Sequence, residues 1–154
     1  MTAAKAVPQA VTEPDRVWFR FLRLHQRMLM QMTARIRTLG LSIPQFDLLS
    51  TLTEQEGISQ SELAEKLYVT KGNVSGLVDR LVQAGLVERR AIAGDRRSYA
   101  MHLTPEGRRL AEAGIAAQRD FVASTLGKLK PDDLAELDRL VLVWRELART
   151  VDAE

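Results

Sequence analysis

Apolar residues recur at three- and four-residue spacing along most of this chain, and the breaks in that rhythm divide it into segments. Neither proline nor glycine occurs from Asp15 to Leu39, where Trp18, Phe21, Leu22, His25, Leu29, Met32 and Ile36 share one stripe. That spacing predicts a long helix with the stripe buried. "GLSIPQFDLLSTL" restarts the rhythm, with Ser42 as N-cap, Pro44 in the first turn and Phe46, Leu48, Leu49 and Leu52 inward. After Gly57, Ser59 is followed three residues later by Glu62, the capping-box spacing, and Leu63, Ala64 and Leu67 form the apolar side of a third helix of about two turns. Thr70 caps a fourth, whose Val74, Leu77, Val78 and Leu81 repeat until Gly85 stops it.

The period then changes. "LVERRAI" and "SYAMHL" flank "AGDRR", which predicts two strands joined by a turn containing Gly94 and Asp95. Thr104 and Pro105 supply the cap and first residue of a helix running to Gly127, and Pro131 opens another through "DDLAELDRLVLVWRELART". The predicted class is mainly α: a winged helix-turn-helix of six helices with a two-stranded β-wing. The segments divide into a flexible arm (1–14) and a single domain (15–154). Within it, 42–104 span the predicted helix-turn-helix and wing, and 15–39 and 105–150 the long helices that flank it.

Composition narrows the chemistry. A chain of 154 residues, 45% apolar, buries one ordinary core. Cysteine is absent, which excludes disulfides, thiolate zinc sites and a thiol nucleophile. His25 and His102 are the only histidines and sit in no zinc-type spacing, so no metal and no cofactor are expected. There is no nucleophile elbow or phosphate-cradling glycine loop, so an enzyme is not expected. No run approaches the roughly 18 to 20 apolar residues of a membrane span, and "MTAAKAVPQAVTEPD" lacks an apolar signal core, so the expected location is the cytoplasm. The formal charge is only +2, but the middle of the chain is basic and its end acidic.

The fourth helix, "TKGNVSGLVDRL", carries the sharpest signal. At about 100° per residue its apolar residues occupy one side, while Gly72, Gly76 and Asp79 lie opposite, between Asn73 and Arg80 on one flank and Ser75 on the other. A helical glycine costs roughly 0.8 to 1 kcal/mol relative to alanine. Two on an exposed face make sense if that face must approach another surface closely. A DNA groove is such a surface: Asn73 can pair with adenine, Ser75 can reach a base or a phosphate, and Lys71 and Arg80 can hold phosphates. The bland alternative is that Gly72 sits at a frayed start and Gly76 packs under a loop. In "GDRR", Arg96 and Arg97 at a wing tip suit a minor groove, with Asp95 fixing an arginine rotamer; plain solvation is the alternative.

The stretch "SQSELAEKLYVTKGNVSGLVDRLVQAGLVERRAIAGDRRSYAMHLTPEG" resembles the multiple-antibiotic-resistance regulator (MarR) family in its helix pair, its "DRL…GLV", its "GDRR" wing and its closing "LT…G". The resemblance implies a homodimeric transcription factor, usually a repressor, that binds a pseudopalindromic double-stranded operator and releases it when a small ligand, often an aromatic acid, binds. It makes Arg97 the wing arginine, puts Lys71, Asn73, Ser75 and Gly76 on the recognition helix, and makes Ser59, Ser61 and Thr70 phosphate contacts. It also implies that the first and last two helices interlock with a second copy, which suits the unbroken apolar run in "LVLVWREL".

The effector is less sharply written. His25 lies among Trp18, Phe21, Leu29 and Met32, either as a ligand-bonding group or as a satisfied interface histidine. Arg16, Arg20, Arg23 and Arg27 form a ridge that is either solvated or able to grip the phosphates of an acyl-coenzyme A thioester. The candidate effector set is Trp18, Arg20, Phe21, Arg23, His25, Arg27, Met28 and Phe46, and the candidate effector an aromatic acid or its acyl-coenzyme A thioester. Trp18, Asp47 and Arg89 partly match the urate-responsive branch, but Leu77 stands where that branch has an arginine. A winged-helix protein-interaction module without sequence-specific DNA binding is the competing expectation.

Overall fold

The computed structural model describes residues 12–67 and 69–151. Most of the arm expected at residues 1–14 lies outside them, as does Tyr68. The elements run α1 (Pro14–Arg37), α2 (Ile43–Glu54), β1 (Ile58–Ser59), α3 (Gln60–Leu67), α4 (Lys71–Gln83), β2 (Val87–Ile92), β3 (Asp95–Leu103), α5 (Pro105–Ser124), a 3-10 turn (Leu126–Lys128) and α6 (Pro131–Val151).

The caps fall where the side chains dictate. Ser42 Oγ accepts from the Gln45 N–H at 3.3 Å while the Gln45 side chain accepts from the Ser42 N–H at 2.9 Å. Ser59 and Glu62 make the same reciprocal pair at 3.2 and 2.7 Å, which holds the Glu62 carboxyl below its usual range, chiefly through the Ser59 N–H. Thr70 Oγ1 accepts from the Asn73 N–H.

The sheet has three strands, in the order β1-β3-β2, all antiparallel. The two-stranded wing is β2 and β3, as expected, and its root gains a third strand that the sequence did not announce: β1 pairs Ile58 with Met101 and Ser59 with Ala100, too short to show alternation. The wing turn is also displaced. Asp95, Arg96 and Arg97 belong to β3, and the turn is Ala93–Gly94, with Gly94 at φ 83°.

The core lies between α2, α3, α4, the root of the sheet and α5, where Leu49, Leu52, Leu63, Val78, Leu81 and Met101 are fully enclosed. Two glycines let α5 close on it. A Cβ on Gly114 would stand 2.5 Å from the Phe46 ring, and one on Gly107 would stand 1.9 Å from the Leu86 carbonyl oxygen. Thr104 fixes the same seam. Its N–H donates to Leu86 O at 3.1 Å, its hydroxyl donates to Gly85 O at 2.6 Å, and its Oγ1 accepts from the Gly107 N–H at 3.0 Å. Gly85 itself, at φ 72°, makes the turn that ends α4.

The outer helices differ from expectation. Of the stripe predicted to be buried on α1, only Ile36 is; Trp18 is 47% exposed and Phe21 and His25 are also exposed, because α6 meets this face only along one edge, through Trp144. No described residue of α6 is buried. No helix among the described residues is long and apolar enough to cross a membrane.

Candidate nucleic-acid interface

The second helix of the α3–α4 pair presents the predicted surface. Val74, Leu77, Val78 and Leu81 are buried, while Lys71, Gly72, Asn73 and Arg80 are exposed and Ser75 and Gly76 partly so. A Cβ built on Gly72 or Gly76 meets nothing within 4 Å, so among the described residues neither glycine makes room for a neighbour and Gly76 packs under no loop. Both border a hollow of about 450 Å³ with Pro44, Asp47, Leu67, Val69 and Arg80 around it. Partial burial there raises the Asp47 carboxyl above its ordinary range.

Ser59 and Thr70 stand at helix starts, their oxygens already accepting cap hydrogen bonds, which leaves each hydroxyl proton free to donate outward; Ser61 is partly exposed in the first turn of α3. All three lie near helix N-termini, where unsatisfied N–H groups favour an anion.

The wing is tied to α4 by a contact that sequence reasoning missed. Arg89 on β2 pairs with Asp79 on the exposed side of α4, and its Nε donates to Gln60 Oε1 at 3.1 Å. A usable signal existed: Arg89 alternates with Val87 on the core-facing side of β2, where a guanidinium requires a partner. Asp95 has a different role from the one predicted. It holds backbone rather than a rotamer, since Oδ1 accepts from the Arg97 N–H at 2.9 Å. That bond, followed by one from the Ser98 side chain, holds the Asp95 carboxyl below its usual range. Arg96 and Arg97 are exposed on β3 next to the wing turn, in the stretch where the register against β2 shifts between Ala91 and Ile92.

The electrostatic consequence is one-sided. Asp79 is engaged by Arg89 and Asp95 by the Arg97 and Ser98 donors, Asp47 lines the hollow with its carboxyl pushed toward the neutral form, and Lys71, Arg80, Arg96 and Arg97 form no ion pair among the described residues. Free cations thus surround a helix face kept low by two glycines. Such a surface can seat in a groove, with the cations on phosphates and the short side chains on base edges.

The predicted effector residues do not converge. Trp18, Arg20 and Phe21 line a groove of about 610 Å³ against Leu140, Trp144 and Arg145 of α6. Phe21 packs edge-on to Trp144, ring centres 4.8 Å apart, and His25 stacks on Phe21 at 6.1 Å from outside that groove. Arg23 and Arg27 line a separate hollow with Gln26, Met30 and Gln31. Phe46 is 2% exposed and belongs to the core, its ring against Gly114, and Met28 lines none of these hollows.

Residues 41–99 match the model of the MarR family. The chain is 32% identical over 111 residues to the HTH-type transcriptional repressor Rv2887 of Mycobacterium tuberculosis, covering 72% of this chain and 80% of that protein. It is 36% identical over 90 residues to the HTH-type transcriptional regulator PecS of Dickeya dadantii, covering 54% of each. Among solved structures it is similar to AbsC, a MarR family transcriptional regulator from Streptomyces coelicolor, at a TM-score of 0.79 and 24% identity, over 92% of this chain and 99% of that one. It is also similar to the protein of the S. aureus MepR-DNA complex, at 0.77 and 21%, over 84% and 96%. These relatives are described as regulators of transcription, not as enzymes.

Proposed function

The chain belongs to the MarR family of transcriptional regulators, and we propose that it acts as a homodimeric repressor that binds a pseudopalindromic operator through α4 and the wing. The observation that carries this is the glycine face of α4, open among the described residues and flanked on its own helix by Asn73 and by Lys71 and Arg80, neither of which has an ion-pair partner among the described residues. The relative Rv2887 is described as a repressor, and the MepR structure is of a DNA complex, which supports the same role here. Dimerisation follows from the apolar faces that α1 and α6 leave uncovered, since patches of that kind are rare on monomers. It would set two recognition helices about one DNA turn, roughly 34 Å, apart.

The test is binding to a duplex from the DNA upstream of the gene against a scrambled duplex of equal length, at fixed salt. The expected result is at least about a thousandfold preference, the low end for specific regulators. Arg97→Ala lowers affinity for both duplexes, whereas Asn73→Ala relaxes preference at one base pair by about 1–3 kcal/mol. Equal affinities for the two duplexes would leave a winged-helix module that docks on protein.

For the effector, the groove of Trp18, Phe21 and Trp144 rimmed by Arg20 and Arg145 has the size and make-up of a small-molecule site for an aromatic acid or its coenzyme A thioester. Control of genes for the catabolism or efflux of aromatic compounds then follows. Calorimetry with benzoate-type acids and their thioesters tests this, and no heat at millimolar ligand defeats it.

A further inference from the structure

The wing carries an aromatic residue for which the fold has no use. Tyr99 lies on β3 in phase with the buried Met101 and Leu103, so it stands on the core-facing side of the strand, yet it is 45% exposed. The residue directly opposite is Ala91, too small to make the aromatic cross-strand pair that would justify a tyrosine in a two-stranded ribbon. Its hydroxyl takes part in none of the hydrogen bonds that hold the wing among the described residues. An amphipathic side chain thus sits on the inner face of the wing with its ring in no aromatic pair and its hydroxyl in no hydrogen bond among the described residues.

Where that face looks is fixed by Arg89. Arg89 is opposite Met101 and on the same face as Tyr99, and its guanidinium reaches Asp79, which belongs to the open side of α4 with Gly72 and Gly76. The inner face of the wing therefore borders the surface that α4 offers to DNA. Tyr99 is one pleat repeat, about 7 Å, farther out than the Arg89–Met101 rung, and Arg97 lies beyond it toward the wing turn, where the register against β2 shifts between Ala91 and Ile92. Arg97 is in turn held through its N–H by Asp95.

Resting on the DNA-binding reading above, we propose that Tyr99 is a backbone contact of the wing. Its hydroxyl donates to a phosphate oxygen at the groove edge, its ring lies against the adjoining sugar, and Arg97 is thereby seated in the groove beyond. Tyrosine is one of the neutral donors suited to such a contact, which positions the protein without reading sequence.

The experiment compares the full chain with Tyr99→Phe on the upstream duplex and on its scrambled counterpart, each over a series of salt concentrations. Phenylalanine keeps the ring and strand preference and removes only the donor. The expected result is a loss of about fivefold, the order of one hydrogen bond. The loss is equal on both duplexes, and the slope of log affinity against log salt is unchanged because a neutral donor releases no counterion. Arg97→Ala, by contrast, lowers that slope. Unchanged affinity in Tyr99→Phe overturns the proposal, and a loss confined to the upstream duplex overturns the phosphate assignment in favour of a base contact. A wild-type chain that binds neither duplex overturns the DNA-binding reading itself, and this inference falls with it.

Discussion

Gly76 and Gly107 show how the same residue type answers opposite demands. Gly107 stands in the first turn of α5 with Leu86 O where its Cβ would be, and the obstacle is backbone, which cannot swing aside. Gly107→Ala is expected to cost about 3 kcal/mol, the upper end for overpacking, as a lowered denaturant midpoint. Gly76 has open space where its Cβ would be. Gly76→Leu is expected to hold or raise stability, by up to about 1 kcal/mol, while weakening operator binding; unchanged operator affinity would refute the close-approach role. Nothing in the local sequence separates these glycines. Only the position of each on its helix, read against what packs there, does so.

Among elements, helices were the legible part because their caps are written in nearby residues: Ser42 with Gln45, Ser59 with Glu62, Thr70 with the Asn73 N–H and Thr104 with the Gly107 N–H. What escaped was contact between elements far apart in sequence. β1 pairs across more than forty residues, and Arg89 joins β2 to α4. Glu56, before β1, shows the same difficulty. Where β1 is too short to cover the edge of β3, the Glu56 carboxylate accepts the Leu103 N–H at 3.0 Å and pairs with Arg108 of α5 at 2.8 Å. Glu56→Ala is expected to cost roughly 1–2 kcal/mol and to speed hydrogen exchange at Leu103, because a part-buried N–H loses its acceptor. Glu56→Gln, which keeps an acceptor, is expected to lose less. The site was legible on the recognition helix for a similar reason, since one helix carries both its faces. The effector set was not, because Arg20, Arg23 and Phe46 face three different surroundings that a single helical wheel cannot separate.

At the scale of the molecule the imbalance lies in α6. Its Val143 and Leu147 are exposed and turn away from the groove against α1, so one chain leaves two apolar faces of the helix in water. Replacing both with aspartate is expected to leave the helix-turn-helix lobe folded and to shift a dimer to monomer in sedimentation, with operator affinity falling steeply. A variant that stays dimeric would place the interface elsewhere. The seam at Thr104 and Gly107 then has a mechanical meaning. Because it locks the last residues of β3 and the turn after α4 onto the first turn of α5, α5 behaves as a crank arm rather than a tether. Its 20 residues span about 30 Å. Phe46 seats against its middle at Gly114, so a tilt of about 10° about that point carries the locked end, about 14 Å away, by roughly 2 Å, enough to stretch a hydrogen bond past its range. Whatever tilts that arm would move the wing root and the end of the recognition helix together.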